Sequence, residues 1–206
     1  MTYEQPPILM VKGAKAGDNY ISNLSRTTSK MIEDFGYVEM QSVGPPSINN
    51  MIKAYIKSKN NLFMSDNSLR LICQFAYQKP SIDDKIRTAI RGKFFPVNSK
   101  IIMTPKSDCP ILLAKGAGAE SNYIKSLSNA MIQSLDEYNC SQIQSIGPVA
   151  ISNIIKSYIK AKGLISEYTN GLSLVSQFSF HKPEINGEVI TAIRASIFAI
   201  EDKYVI

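Results

Sequence analysis

Tryptophan is absent from this chain of 206 residues, histidine occurs once and cysteine three times. The single histidine, His181, has no partner of its kind, and a glutamine, Gln78, stands at its equivalent in the internal repeat described below, so neither a histidine-based triad nor a histidine metal cluster is expected. The cysteines, at positions 73, 109 and 140, are too few and too irregular for a secreted disulfide framework, and reduced thiols are expected. No apolar run approaches the ~20 residues of a membrane span. The opening MTYEQPPILM has no basic segment ahead of an apolar stretch, so it does not read as a secretory signal. The expectation is a soluble, cytoplasmic protein, with nuclear or cytoskeletal association left open. No Walker or dinucleotide fingerprint is present, so no cofactor is expected. Acid pairs such as Glu33-Asp34, Asp83-Asp84 and Asp136-Glu137 lack partner chemistry and read as solvated surface. The chain is not expected to be an enzyme.

What is present is a globular composition, 44% hydrophobic and 19% charged, and an internal duplication. Sliding the chain on itself by about 103 residues aligns Pro7–Val97 with Pro110–Ile200 without a gap at roughly 40% identity. PILMVKGAKAGDNYISNLS matches PILLAKGAGAESNYIKSLS, and MQSVGPPSINNMIKAYIKSK matches IQSIGPVAISNIIKSYIKAK. The domains are therefore 1–97 and 110–206, joined by a polar linker over 98–109. Formal charge divides unevenly: the net +6 of the chain lies in residues 1–103, and the remainder is neutral.

Each copy spells the same element order. An apolar strand at Ile8–Val11 (Ile111–Ala114) ends at Lys-Gly, and a helix follows, with Asp18 and Ser121 as N-cap candidates. A strand at Val38–Val43 (Ser141–Ile146) runs into Gly-Pro, where proline suits the first helical turn. The second helix buries Ile48, Met51, Ile52, Tyr55 and Ile56 (Ile151, Ile154, Ile155, Tyr158 and Ile159) and is expected to end near Asn60 and Gly163. Strands at Leu69–Tyr77 and Ile86–Phe95 (Leu172–Phe180 and Val189–Ile200) close a hairpin. The pattern is βαβαββ, an α/β module in the form of an α+β two-layer sandwich, present twice.

The shared residues resemble the stage V sporulation protein S family, within the wider Alba-like superfamily. The resemblance is carried by Ile143-Gln144-Ser145-Ile146-Gly147, Ile155-Lys156, Lys162-Gly163 and Thr191-Ala192-Ile193-Arg194 in the second copy. The first copy keeps Gln41-Ser42-Val43-Gly44, Ile52-Lys53 and Thr88-Ala89-Ile90-Arg91, with Asn60 in place of the glycine after the second helix. Asn19-Tyr20 and Asn122-Tyr123 look like the wider Alba pattern. The resemblance implies small dimeric modules that bind DNA or RNA through the loop after the first strand and through the hairpin. A tandem chain would then supply its own pseudo-dimer.

Four groups of residues carry candidate chemistry. The loop Lys12-Gly13-Ala14-Lys15-Ala16-Gly17 precedes a helix and is either a phosphate cradle or a tight turn explained by backbone geometry alone. Its counterpart keeps Lys115 but has Gly118 and Glu120. Lys53 and Lys57 lie four apart on the second helix, opposite the apolar stripe, as do Lys156 and Lys160, and form either a polyanion contact or a solvated face. Arg87, Arg91, Arg70 and Lys93 make a basic stripe on the closing strands, or a charged edge that resists aggregation. Phe75, Tyr77, Phe94 and Phe95 suggest a stacking platform, with core packing the better account.

Two functions follow. The first is a non-enzymatic nucleic-acid-binding protein that contacts phosphates mainly through its basic first module. The alternative is a structural subunit of a protein assembly, for example a cytoskeletal or ciliary one.

Overall fold

A computed structural model describes the chain except residues 1–5, 15, 63–67, 83–84, 103, 106 and 186 and the side chains of Ile82 and Ile185. The candidate Lys15 and the Asp83-Asp84 pair therefore lie outside the described residues. The chain divides into compact units Met1–Ser99 and Lys100–Ile206.

In the first module β1 (Leu9–Val11) leads to α1 (Tyr20–Phe35), β2 (Val38–Ser42) and α2 (Pro45–Leu62). The long strands β3 (Leu69–Gln78) and β6 (Ala89–Asn98) follow, with the short strands β4 (Ser81–Ile82) and β5 (Lys85–Ile86) between them. The four main strands lie in the order β1-β2-β6-β3, with β1 parallel to β2 and the other pairs antiparallel. The second module repeats this with β7 (Ile111–Ala114), α3 (Tyr123–Tyr138), β8 (Ser141–Ser145), α4 (Pro148–Tyr168), β9 (Leu172–His181), β10 (Glu184–Ile185), β11 (Glu188–Val189) and β12 (Ala192–Glu201). Its strands run β7-β8-β12-β9. The expected βαβαββ order stands, with one addition: each closing hairpin narrows to an antiparallel two-stranded tip, β4–β5 or β10–β11.

Local chemistry accounts for most boundaries. Gly36 and Asn139 take left-handed backbone after α1 and α3, and their N–H groups return to Ile32 and Leu135 carbonyls. Gly147 opens α4 at φ 84°, ψ 164°, a region essentially closed to side-chain-bearing residues, and Gly44 repeats the positive φ. Pro45 and Pro148 then occupy the first helical position, where no N–H is needed.

Three expectations are corrected. Asp18 and Ser121 do not cap their helices. A turn precedes each helix, placing Asn19 and Asn122 in helical backbone, and the N–H groups of Tyr20 and Tyr123 go to the carbonyls of Gly17 and Glu120. Gly163 does not end the fourth helix, which runs on to Tyr168, because a single interior glycine costs only about 1 kcal/mol and the helix's buried face outweighs it. The last strand begins at Ala89, not Ile86, since the chain first passes through β5.

Both helices of a module cover one face of its sheet. Val38, Met40, Phe75 and Phe94 point to that face and are buried against Met51, Ile52 and Tyr55 of α2. The Tyr55 hydroxyl donates to the Leu71 carbonyl at 2.6 Å, and Tyr158 repeats the bond to Leu174. The two cores differ at one paired position. The Phe94 ring stands 6.1 Å from Phe75 and 5.5 Å from Tyr55 beside Gly92, where an added Cβ would come within 2.7 Å of it. The second module has Ala195 and Ile197 there: a smaller neighbour leaves room for a methyl group.

Candidate nucleic-acid interface

The loop between β1 and α1 is fastened from two sides. The Lys12 N–H donates to the Tyr20 hydroxyl at 2.7 Å, while the Asn50 amide on α2 donates to the carbonyls of Lys12 and Gly13 at 3.0 and 3.2 Å. The second module reproduces the arrangement. Lys115 N–H meets Tyr123 at 2.7 Å, and Asn153 donates to the Lys115 carbonyl at 3.0 Å. With their carbonyls turned inward, both lysine side chains project into solvent.

Gly13 and Gly116 are not required by their backbone, contrary to the tight-turn expectation. Neither has a positive φ, and a Cβ would meet only ordinary contacts, at 3.8 Å from Pro46 and the Ser47 nitrogen or 4.0 Å from the Ala150 nitrogen. Those nitrogens belong to the first turns of α2 and α4. Each Lys-Gly loop is thus pinned against the amino end of a long helix, the end that carries positive partial charge. Asn50, Lys53 and Lys57 follow one another at helical spacing along α2. Lys53 is half-buried, and Lys57 is exposed and reaches the Ser22 hydroxyl of α1 at 3.1 Å. The Lys57 side therefore borders α1 rather than facing squarely away from the protein. Lys12, Lys53 and Lys57 share the helical side of the module, as do Lys115, Lys156 and Lys160 in the second.

The remaining candidates lie elsewhere. Arg91, Lys93 and Arg70 project from the sheet face opposite the helices, since Arg91 pairs with Ala76, Lys93 with Gln74 and Arg70 with Val97 while Phe94 points to α2. They do not make a continuous stripe, because the fully buried Ile72–Phe95 pair separates Arg70 from Lys93. Much of their charge is engaged within the module. Arg91 contacts Glu39 at 3.4 Å and Gln41 at 2.9 Å, Lys93 lies 4.5 Å above the Tyr37 ring, and Arg70 donates to the Leu69 carbonyl. Arg194 keeps the glutamine contact, to Gln144 at 2.9 Å, but Gln142 replaces the carboxylate. Arg87 is not on this strand. It sits at the neck of the hairpin with its N–H on the Pro80 carbonyl.

Sequence reasoning missed two sets of residues. Asn50, which holds the loop, was visible only as an identity with Asn153, and Tyr20, noted for the family resemblance, was not read as a partner of the loop. Lys79 and Lys85 join Arg87 as exposed cations on the hairpin, where the second module has Lys182, Glu188 and Ile190. The loss of two of these three charges between copies was the signal. Of the four aromatic candidates, Phe75, Phe94 and Phe95 are core, and Tyr77 stands 46% exposed, near the hairpin. His181 lies on the strand beside β12, and partial burial first, with Arg194 second, holds its imidazole below the usual pKa. Among the described residues no group of histidine, cysteine and acid side chains is placed to hold a metal. No helix among them is long and apolar enough to cross a membrane.

Strand order and helix placement make each half an α+β two-layer module of βαβαββ order, the form that the resemblance to Alba-like proteins implies. The family model described as Stage V sporulation protein S (SpoVS) matches residues 16–97 and again 116–200. The chain belongs to that family, with two modules in tandem. Both matched segments begin after the first lysine of the loop, so Lys12 and Lys115 stand outside the matched region. A comparison with curated proteins finds no match.

Proposed function

We propose that the protein is a non-enzymatic nucleic-acid-binding protein that grips the phosphate backbone chiefly through its first module. One observation carries this reading: in both modules the Lys-Gly loop is held by an asparagine against the amino end of the second helix, with two further lysines along that helix. Backbone N–H groups at a helix start attract anions, and lysines supply the formal charge. Phosphate contacts position a nucleic acid without reading its bases, so weak sequence preference is expected. The first module is favoured because its hairpin carries Lys79, Lys85 and Arg87 and because Glu120 stands in the loop of the second. The expected pairing of the modules into a pseudo-dimer belongs to the same proposal and rests on the sequence repeat.

Fluorescence anisotropy with short duplex DNA and single-stranded RNA over a salt series tests it. Binding weakens steeply with salt, and replacing Lys12, Lys53 and Lys57 together by alanine flattens the logarithmic slope by about 2 to 3, near 0.9 for each phosphate that is no longer neutralised. An absence of binding at low salt, or a salt-independent affinity, would overturn the reading.

The structural-subunit reading retains one specific support. β1 and β7 are edge strands of their modules, and the side chains of Ile8, Met10, Ile111 and Leu113 are exposed along them. Such edges accept a further strand from a protein partner.

A further inference from the structure

The structure points to a covalent site in the second module that the first does not possess. Cys109 and Cys140 are both buried, and their sulfur atoms lie 3.1 Å apart without a disulfide joining them. The pairing of β7 with β8 explains this proximity. Ile111 is opposite Gln142, so two residues back along both parallel strands Cys109 comes opposite Cys140. Neighbouring strands lie about 4.7–4.9 Å apart, inside the ~4.4–6.8 Å range of Cα separations that disulfides span. The sulfurs need approach by only about 1 Å to reach bonding distance. The contacts of the Cys109 thiol with oxygen are long for hydrogen bonds: the Cys140 carbonyl at 3.6 Å, the Pro110 carbonyl at 3.9 Å and the Ser134 hydroxyl at 4.0 Å. In the first module Pro6 and Tyr37 occupy these positions, and Cys73 lies on β3 with Ser176 as its counterpart.

We propose that Cys109 and Cys140 close into a disulfide within the second module, with a low-molecular-weight disulfide such as oxidised glutathione as the oxidant. One cysteine thiolate attacks a sulfur of the oxidant, forming a mixed disulfide and releasing the first glutathione thiolate. The second cysteine thiolate then attacks the protein sulfur of that mixed disulfide and releases the second. The two protein thiols lose two electrons and two protons, and one oxidised glutathione becomes two reduced glutathiones. Because both sulfurs are buried, the reaction proceeds through opening of the segment before β7, and it is slower in the folded protein than during folding. The bond fastens the end of the linker to the residue just before β8, ahead of the first pair of the β7–β8 ladder. It leaves the proposed lysine sites untouched.

The test uses the full chain carrying Cys73→Ser, the residue the second module has at that position. The protein is incubated with glutathione redox buffers in the folded state and, in parallel, refolded in the same buffers, then acid-quenched, alkylated and mapped by mass spectrometry. The expected result is joint loss of both thiols, a mass lower by two hydrogen atoms, and a Cys109–Cys140 crosslinked peptide independent of protein concentration. The melting temperature rises by several degrees in the oxidised protein and returns on addition of dithiothreitol. Cys109→Ser and Cys140→Ser each abolish the crosslink. Failure to form the crosslinked peptide in both the folded and the refolding protein overturns the proposal. So does a stable glutathione adduct at either cysteine, or an intermolecular dimer in its place.

Discussion

Burial and the nearby Arg194 guanidinium, in that order, disfavour protonation of the His181 imidazole. The unfolded chain therefore binds a proton more readily than the folded one between the lowered value and the ordinary 6.5. Stability rises with pH through that window: the contribution is fully present above it and is lost as the pH falls through it, with no further change below. Melting temperatures measured from about pH 8 to about pH 5 show this as an acid-side decline that His181→Gln reduces, glutamine being the residue of the first module at that position. Superimposable profiles would dismiss the effect. Single-residue features of this kind were only half legible in the sequence. His181 was conspicuous as the sole histidine, but its neighbour across the strands is 13 positions away, and pairing brought them together. The same holds for Asn50, whose role depends on a loop 37 and 38 residues earlier.

Among elements, the hairpin strands show how two copies of one fold reach the same density by different routes. Gly92 beside Phe94 and Ala195 beside Ile197 exchange a methyl group for ring volume in equivalent places. Gly92→Ala forces a Cβ into the Phe94 ring and is expected to cost about 1–3 kcal/mol in urea denaturation, the usual range for overpacking. Adding Phe94→Ile, which recreates the second module's pair, recovers most of that loss. Additive costs would refute the compensation, since contacting residues are expected to couple. Strand and helix identity was legible because alternation and the helical stripe recur in both copies. The boundaries were less so. The continuation of α4 past Gly163 depends on the helix burying Ala161 and half-burying Leu164 and Ile165 around it, which propensity cannot register. The small β4–β5 and β10–β11 tips depend on strand pairing over two residues, too short for periodicity to reveal.

For the whole molecule, the division of charge is the main asymmetry, because the geometry of the loop site recurs in both modules. Lys115 faces solvent on the same scaffold as Lys12, but Glu120 lies in its loop where the first module has Gly17. Under the proposed function, Lys115→Ala weakens nucleic-acid binding less than Lys12→Ala, and Glu120→Gln strengthens it, most visibly at low salt where screening is weakest. Equal losses from the two lysine substitutions, measured by anisotropy under identical salt, would show that the modules contribute alike.

The duplication, the βαβαββ order, the family resemblance and the location of the excess charge were determined by sequence alone, because repeated periodicity and charge counts are properties of chain order. Tertiary structure decided which cations share a surface. It placed Lys12, Lys53 and Lys57 on the helical side, set Arg91 against Glu39 and Gln41, and brought Cys109 to Cys140 across 31 residues. Strand register and helix packing decide which distant side chains meet, and neither is a function of local spacing.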